Sequence, residues 1–291
     1  MSAILLAISS SALYGAADFF GGFASRLISV LLVALIANVV AAILFVGLAG
    51  IYSPYSLSVN DIKWSVGAGL FMGSAAICLY HSLSIGRMSV VAPITAICAI
   101  LLPVASDLIF GVNISTLSKG GIFLASISIV LIAQERKTQT IKIGQVRSGL
   151  TQKYKSILYA VLAGLGIGVF YIFTKQTSTN SGLWPLLIIR MVSILITFTA
   201  ILVAKKKHSQ EIRWAKSGVL LACLVGILDA FANTTYLLAV REGQLSIVAT
   251  LTSLYPASTL LLARLVLKEK LNAIQIAGLT LAAVAIIMIV K

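Results

Sequence analysis

Arg241–Leu271, REGQLSIVATLTSLYPASTLLLARLVLKEKL, reads as a polar turn, an apolar run long enough to cross a bilayer, and a charged cluster. An earlier stretch, Ser84–Ser115, SIGRMSVVAPITAICAILLPVASDLIFGVNIS, follows the same plan. A constant offset of 157 pairs Gly86 with Gly243, Ser89 with Ser246, Ala92 with Ala249 and Thr95 with Thr252. The same offset continues to Leu108 with Leu265, Gly121 with Gly278 and Ala125 with Ala282. A gapless offset over such a distance marks an internal repeat, one unit written twice.

Composition sets the class. The 291 residues are 59% hydrophobic and 10% charged, with a mean hydropathy of +1.06. A soluble domain needs far more polar surface, so the expectation is an all-α integral membrane protein. Ten spans are expected, at 3–24, 28–50, 64–85, 88–110, 118–134, 156–175, 183–204, 217–240, 244–267 and 272–290. Each half contributes five. The expected division is a first repeat over 1–134, a basic linker over 135–155 and a second repeat over 156–291. Five is odd, so the second repeat enters the membrane the opposite way round, an inverted-topology arrangement typical of secondary transporters. Met1–Ser25 lacks a basic leading segment and reads as the first span, not as a cleaved signal.

The net charge of +14 does not point to nucleic acid, because the basic residues fall in the loops. Sixteen lie on the face that carries the linker and five on the other, with Arg190 inside a span. The positive-inside rule then puts the linker in the cytoplasm and both termini outside. Cys78, Cys98 and Cys223 all fall in apolar runs, as reduced packing residues.

Ionisable residues inside spans are costly, about 2.5–3.5 kcal/mol each on insertion scales, so each needs a partner or a role. Gly226, Asp229, Asn233 and Tyr236 recur at helical spacing on one face of span 8. The offset gives Met72, Ala76 and Leu79 in span 3, so the stripe is asymmetric and reads as a site. Arg190 in span 7 either holds a substrate carboxylate or pairs with Asp229 as a strut. Asp18, flanked by Gly15, Gly21 and Gly22, is either helix-contact glue or a proton or substrate site. Asn38 in span 2 corresponds roughly to Arg190 and suits a cavity hydrogen bond. Thr252, Tyr255 and Thr259 share one face of span 9. Pro93 and Pro103 in span 4 and Pro256 in span 9 are expected to break their helices toward a cavity. Gly164 and Gly168 form a packing seam in span 6. His81, at a span end, reads as an interface residue.

Several strings carry a family resemblance: YGAADFFGGFASR at Tyr14–Arg26, Gly86 to Pro93, Leu228 to Asn233, Arg241-Glu242-Gly243 and Ser253-Leu254-Tyr255-Pro256. With the five-plus-five duplication, the chain resembles the EamA-type branch of the drug/metabolite transporter superfamily. The family often carries a Gly-Glu pair after spans 4 and 9. Here Gly111-Val112 lacks the acid and Lys268-Glu269 lacks the glycine. The resemblance implies ten helices around a central cavity, metabolite transport, often export, and cytoplasmic termini. That last implication opposes the charge count.

The expected function is a secondary-active transporter of a small polar, amino-acid-like metabolite, an exporter working by alternating access in the cell membrane. Protons are the candidate coupling ion, through Asp229 or Asp18, and a single chain suffices to enclose the site. The alternative is an uptake permease for a sugar or similar solute. With two histidines, dispersed cysteines, and neither a nucleophile–base pair nor a phosphate-binding glycine loop, no enzyme, cofactor or metal site is expected.

Overall fold

The computed structural model describes residues 2–52, 56–86, 88–132, 134, 146–207, 215–268 and 271–290. Helices α1 (Ser2–Leu27), α2 (Val30–Tyr52), α3 (Val59–Ile85), α4 (Met88–Ile109) and α5 (Thr116–Ile132) form the first half. The second comprises α6 (Val146–Lys175), α7 (Trp184–Lys207), α8 (Lys216–Glu242), α9 (Leu245–Thr252), α10 (Tyr255–Leu267) and α11 (Ala273–Val290). Among the described residues nine helical segments are long and apolar enough to cross a membrane, with α9 and α10 counted as one. The 17-residue α5 is a shorter apolar helix that completes ten.

Burial is arranged for a lipid solvent. Large apolar side chains such as Ile43, Phe123, Leu195, Leu220 and Leu265 point outward, whereas the buried contacts are rich in alanine, serine and glycine. Helices in lipid associate by close packing of small residues, since leucine gains nothing from leaving acyl chains. Gly164 and Gly168 seat α6 on α4: a Cβ at Gly164 would stand 2.4 Å from the Thr95 carbonyl oxygen. A Cβ at Gly226 would stand 2.6 Å from the Ala37 carbonyl oxygen on α2.

Helix pairing keeps its pattern when the two halves are exchanged. α1 packs on α8 as α6 does on α3, and α2 packs on α8 as α7 does on α3. α1 meets α9 and α10 as α6 meets α4, while α2 meets α7 and α5 meets α11.

Helix boundaries differ from the sequence expectation at three places. α3 starts at Val59 instead of 64 because Ser58 and Asp61 form a capping box, each side chain accepting the other's backbone N–H. α6 starts at Val146 instead of 156, so the helix takes up part of the expected linker; residues 135–145 lie outside the described residues. The third concerns the prolines. α4 runs unbroken through Pro93 and Pro103. The expected breaks there do not occur, because a proline removes one donor without forcing the helix to end. Span 9 does break, at Ser253–Leu254, and Pro256 stands in the first turn of α10.

Candidate functional site

The candidate site is a mid-membrane cavity bounded by α1, α2, α3, α6, α7, α8 and the start of α10. Its free space is about 50 Å³ open to the centre of a water-sized sphere, enough for a few waters at roughly 10–15 Å³ each. Three charged side chains line it: Asp18, Arg190 and Asp229. Tyr14, Tyr80, Phe170, Tyr171 and Tyr255 supply aromatic walls. Both halves of the chain contribute.

Asp229 sits at the middle of α8, where its carboxylate Oδ2 is 2.5 Å from Nη2 of Arg190. Asn233, one turn along, donates from Nδ2 to Oδ1 of Asp229 (3.1 Å) and to its backbone carbonyl (2.7 Å). Arg190 Nη1 donates to Oδ1 of Asn38 at 3.0 Å, and Asn38 Nδ2 donates in turn to the Ala34 carbonyl. The result is a chain Asn233–Asp229–Arg190–Asn38 linking three helices. A bidentate-capable guanidinium neutralised in this way is a strut as well as a cavity wall.

Asp18 differs. It is 8% exposed, lines the same cavity, and receives no hydrogen bond from any described residue. The glycines around it serve other contacts: Gly15 lies against Ser258 and the Tyr255 carbonyl, and Gly21 lies against the Tyr80 ring. The Tyr14 hydroxyl is buried and has no partner among the described residues.

Tyr255 lines the cavity and donates to the Ala92 carbonyl at 3.2 Å, so the break in span 9 turns a phenol of the second half onto α4 of the first. Tyr236 does not line the cavity. It is fully buried, stacks on Tyr171 with ring centroids 4.4 Å apart, and donates to the Tyr171 carbonyl. Asn233 is likewise fully buried behind Asp229, and Thr252 is fully buried away from the cavity. His81 faces a separate crevice on the linker face, edge-on to Tyr159.

Sequence reasoning did not single out Met72, Ala76 and Leu79 as lining residues, yet they line the cavity in α3 at the positions that the offset pairs with Asp229, Asn233 and Tyr236. One wall is polar and its counterpart apolar. The offset also pairs Tyr14 with Tyr171, and both line the cavity. The repeat was the signal that would have found them.

Sequence reasoning also passed over the face that carries both chain ends. Buried Asp61 accepts from the backbone and hydroxyl of Ser58 and of Ser178, the latter at 2.7 and 3.0 Å. Arg241 donates to the carbonyls of Ser178 and Gly182, both at 2.8 Å, and to the Ser181 hydroxyl at 3.1 Å. Asp107 accepts the Ser246 backbone N–H at 2.7 Å, Gln244 donates to the Asn113 carbonyl, and Ser2 donates to Glu242. Lys175 donates to the carbonyls of Val240 and Gly243. The Ser58-x-x-Asp61 capping signature was legible; its cross-half partner Ser178 was not.

Comparison with known proteins agrees with this architecture. Residues 154–291 match the EamA-like transporter family. An uncharacterized protein of Methanocaldococcus jannaschii is 28% identical over 134 residues, 45% of this chain and 95% of the relative, which is therefore about one half of this chain in length. A solved crystal structure, described simply as that of a protein, matches 99% of this chain and 96% of its own with a TM-score of 0.72. At 13% identity that likeness is one of fold. The second half of the chain is thus similar to EamA-like transporters, and the many long apolar helices make the chain a multi-pass membrane protein.

Proposed function

We propose that the protein is a secondary-active exporter of a small polar, amino-acid-like metabolite, working in the cell membrane as a single chain by alternating access. Its moving parts are two inverted five-helix repeats, 1–134 and 156–291, joined by 135–155. The observation that carries this reading is the buried mid-membrane cavity built from both halves and holding three charged side chains. The self-matching helix pairing adds support, because an exchange of the two conformations of the repeats would open the opposite face. So does the polar network on the face of the chain ends, which ties α3 to the α6–α7 loop and α4 to α9. Asp229 and Asp18 are the candidate coupling carboxylates, with protons as the coupling ion.

The test compares metabolites inside cells and in their medium, for wild type and Asp229→Asn at matched membrane levels. A metabolite that leaves with wild type and stays with the variant is the expected result. No movement across a broad panel sinks the exporter reading, and accumulation inside the cell replaces it with uptake.

A further inference from the structure

The charge balance of the cavity says more about the ligand than the presence of charges alone. Its ionisable lining comprises one arginine and two aspartates. Arg190 is spent on Asp229, held at 2.5 Å, and its second nitrogen is spent on Asn38. The pair is neutral as a unit, and a bound carboxylate would have to displace Asp229 from the guanidinium. Asp18 has no such partner: it is more than nine-tenths buried, faces the cavity and receives no hydrogen bond from any described residue. A carboxylate in a low-dielectric interior is costly to ionise alone and gains far more from an adjacent cation than one in water does.

The walls favour the same sign of charge. Rings of Tyr14, Tyr80, Phe170, Tyr171 and Tyr255 line the cavity with Asp18. Aromatic faces carry negative electrostatic potential and attract ammonium groups. The Tyr14 hydroxyl, buried with no partner among the described residues, adds an acceptor for an ammonium N–H. What is left for an anion is the Arg190 Nε N–H, buried with no partner among the described residues, on a guanidinium whose charge Asp229 already offsets.

We propose that Asp18 is the counter-ion for an ammonium group of the transported solute, and that a carboxylate on that solute is dispensable. This rests on the transporter reading above and narrows it: the site selects amines, with amino acids accepted through their ammonium end.

A matched series tests it on the purified full chain in lipid nanodiscs: valine, its decarboxylated amine isobutylamine, its deaminated acid isovalerate, and neutral isobutanol. Binding is read by isothermal titration and by the shift of the thermal midpoint. Isobutylamine and valine are expected to bind, with isovalerate and isobutanol at least about ten-fold weaker, a difference of ~1.4 kcal/mol. Asp18→Asn is expected to abolish that preference and Asp18→Glu to keep it. The wild-type series stands even if Asp18→Asn does not fold. Isovalerate binding as well as isobutylamine, or an amine preference that survives in a folded Asp18→Asn, overturns the assignment while leaving transport intact. Binding of none of the four overturns the assignment together with the reading of this cavity as the solute site.

Discussion

Arg190 and Asp229 are worth less as a pair than either is costly alone. Removing one partner of a buried ion pair costs about 3–5 kcal/mol, whereas replacing both by apolar groups of similar size is close to neutral. Arg190→Met is therefore expected to lower the thermal midpoint sharply, and Arg190→Met with Asp229→Leu to regain most of the loss while transport stays absent. A double variant as unstable as the single one would mean that the pair does not act as a unit. Glycine contacts give a second residue-scale prediction. Gly226→Ala drives a methyl to within 2.6 Å of the Ala37 carbonyl, while Gly47→Ala meets nothing within 4 Å. The first is expected to cost about 1–3 kcal/mol by overpacking and the second nothing, as read from the same midpoints. At this scale the sequence revealed that Asp229, Asn233 and Tyr236 share a face, but not that Tyr236 leaves the cavity. Seven residues carry it about 10 Å along the helix axis, past Tyr171, whose ring covers it.

The ends of spans 4 and 9 show how one backbone serves two sequences. After α4, Gly111 adopts a left-handed φ of +67°, and Val112 and Gly111 donate back to the Asp107 and Leu108 carbonyls in the Schellman pattern. The offset that relates the halves pairs Gly111 with Lys268, which ends α10 at φ +55°. A lysine in that conformation bears about 1 kcal/mol or more of strain that glycine does not. Lys268→Gly is expected to stabilise the protein by about that amount in denaturant or thermal titration. A destabilised variant would mean that the lysine side chain more than offsets the strain. Pro256 is the other element-scale lever. Lacking an N–H, it cannot bond the Thr252 carbonyl, and the helix restarts at Tyr255. Pro256→Ala supplies the donor, so α9 and α10 are expected to join and Tyr255 to turn off the cavity. Flux should then fall at an unchanged thermal midpoint; wild-type flux would show that the break is not needed. Pro93 and Pro103 carry the same sequence signal without a break, so proline alone does not identify an interrupted span.

On the whole molecule, the network around Asp61, Asp107 and Arg241 ties α3 and α8 to residues 178–182 and α4 to α9 on the face of the chain ends. Arg241→Ala removes three hydrogen bonds to residues 178–182. In a background without Cys78, Cys98 and Cys223, a cysteine replacing Ala17, which lines the cavity, is expected to react several-fold faster with an impermeant thiol reagent from that face once Arg241 is removed. Equal rates would show that the network staples loops without gating the cavity.

The sequence by itself determined the class, the many apolar spans, the fixed offset between the halves and the handful of polar residues that a bilayer does not tolerate without cause. Those properties are local or periodic: hydropathy over twenty residues, a fixed offset, a charge inside an apolar run. Only the tertiary structure decided that Arg190 is consumed by Asp229, that Asp18 is left over, that Tyr236 lies behind the wall, and that Asp61 reaches Ser178. These depend on how helices far apart in sequence meet, and side chains 39 to 117 positions apart find each other through contacts that no local pattern encodes.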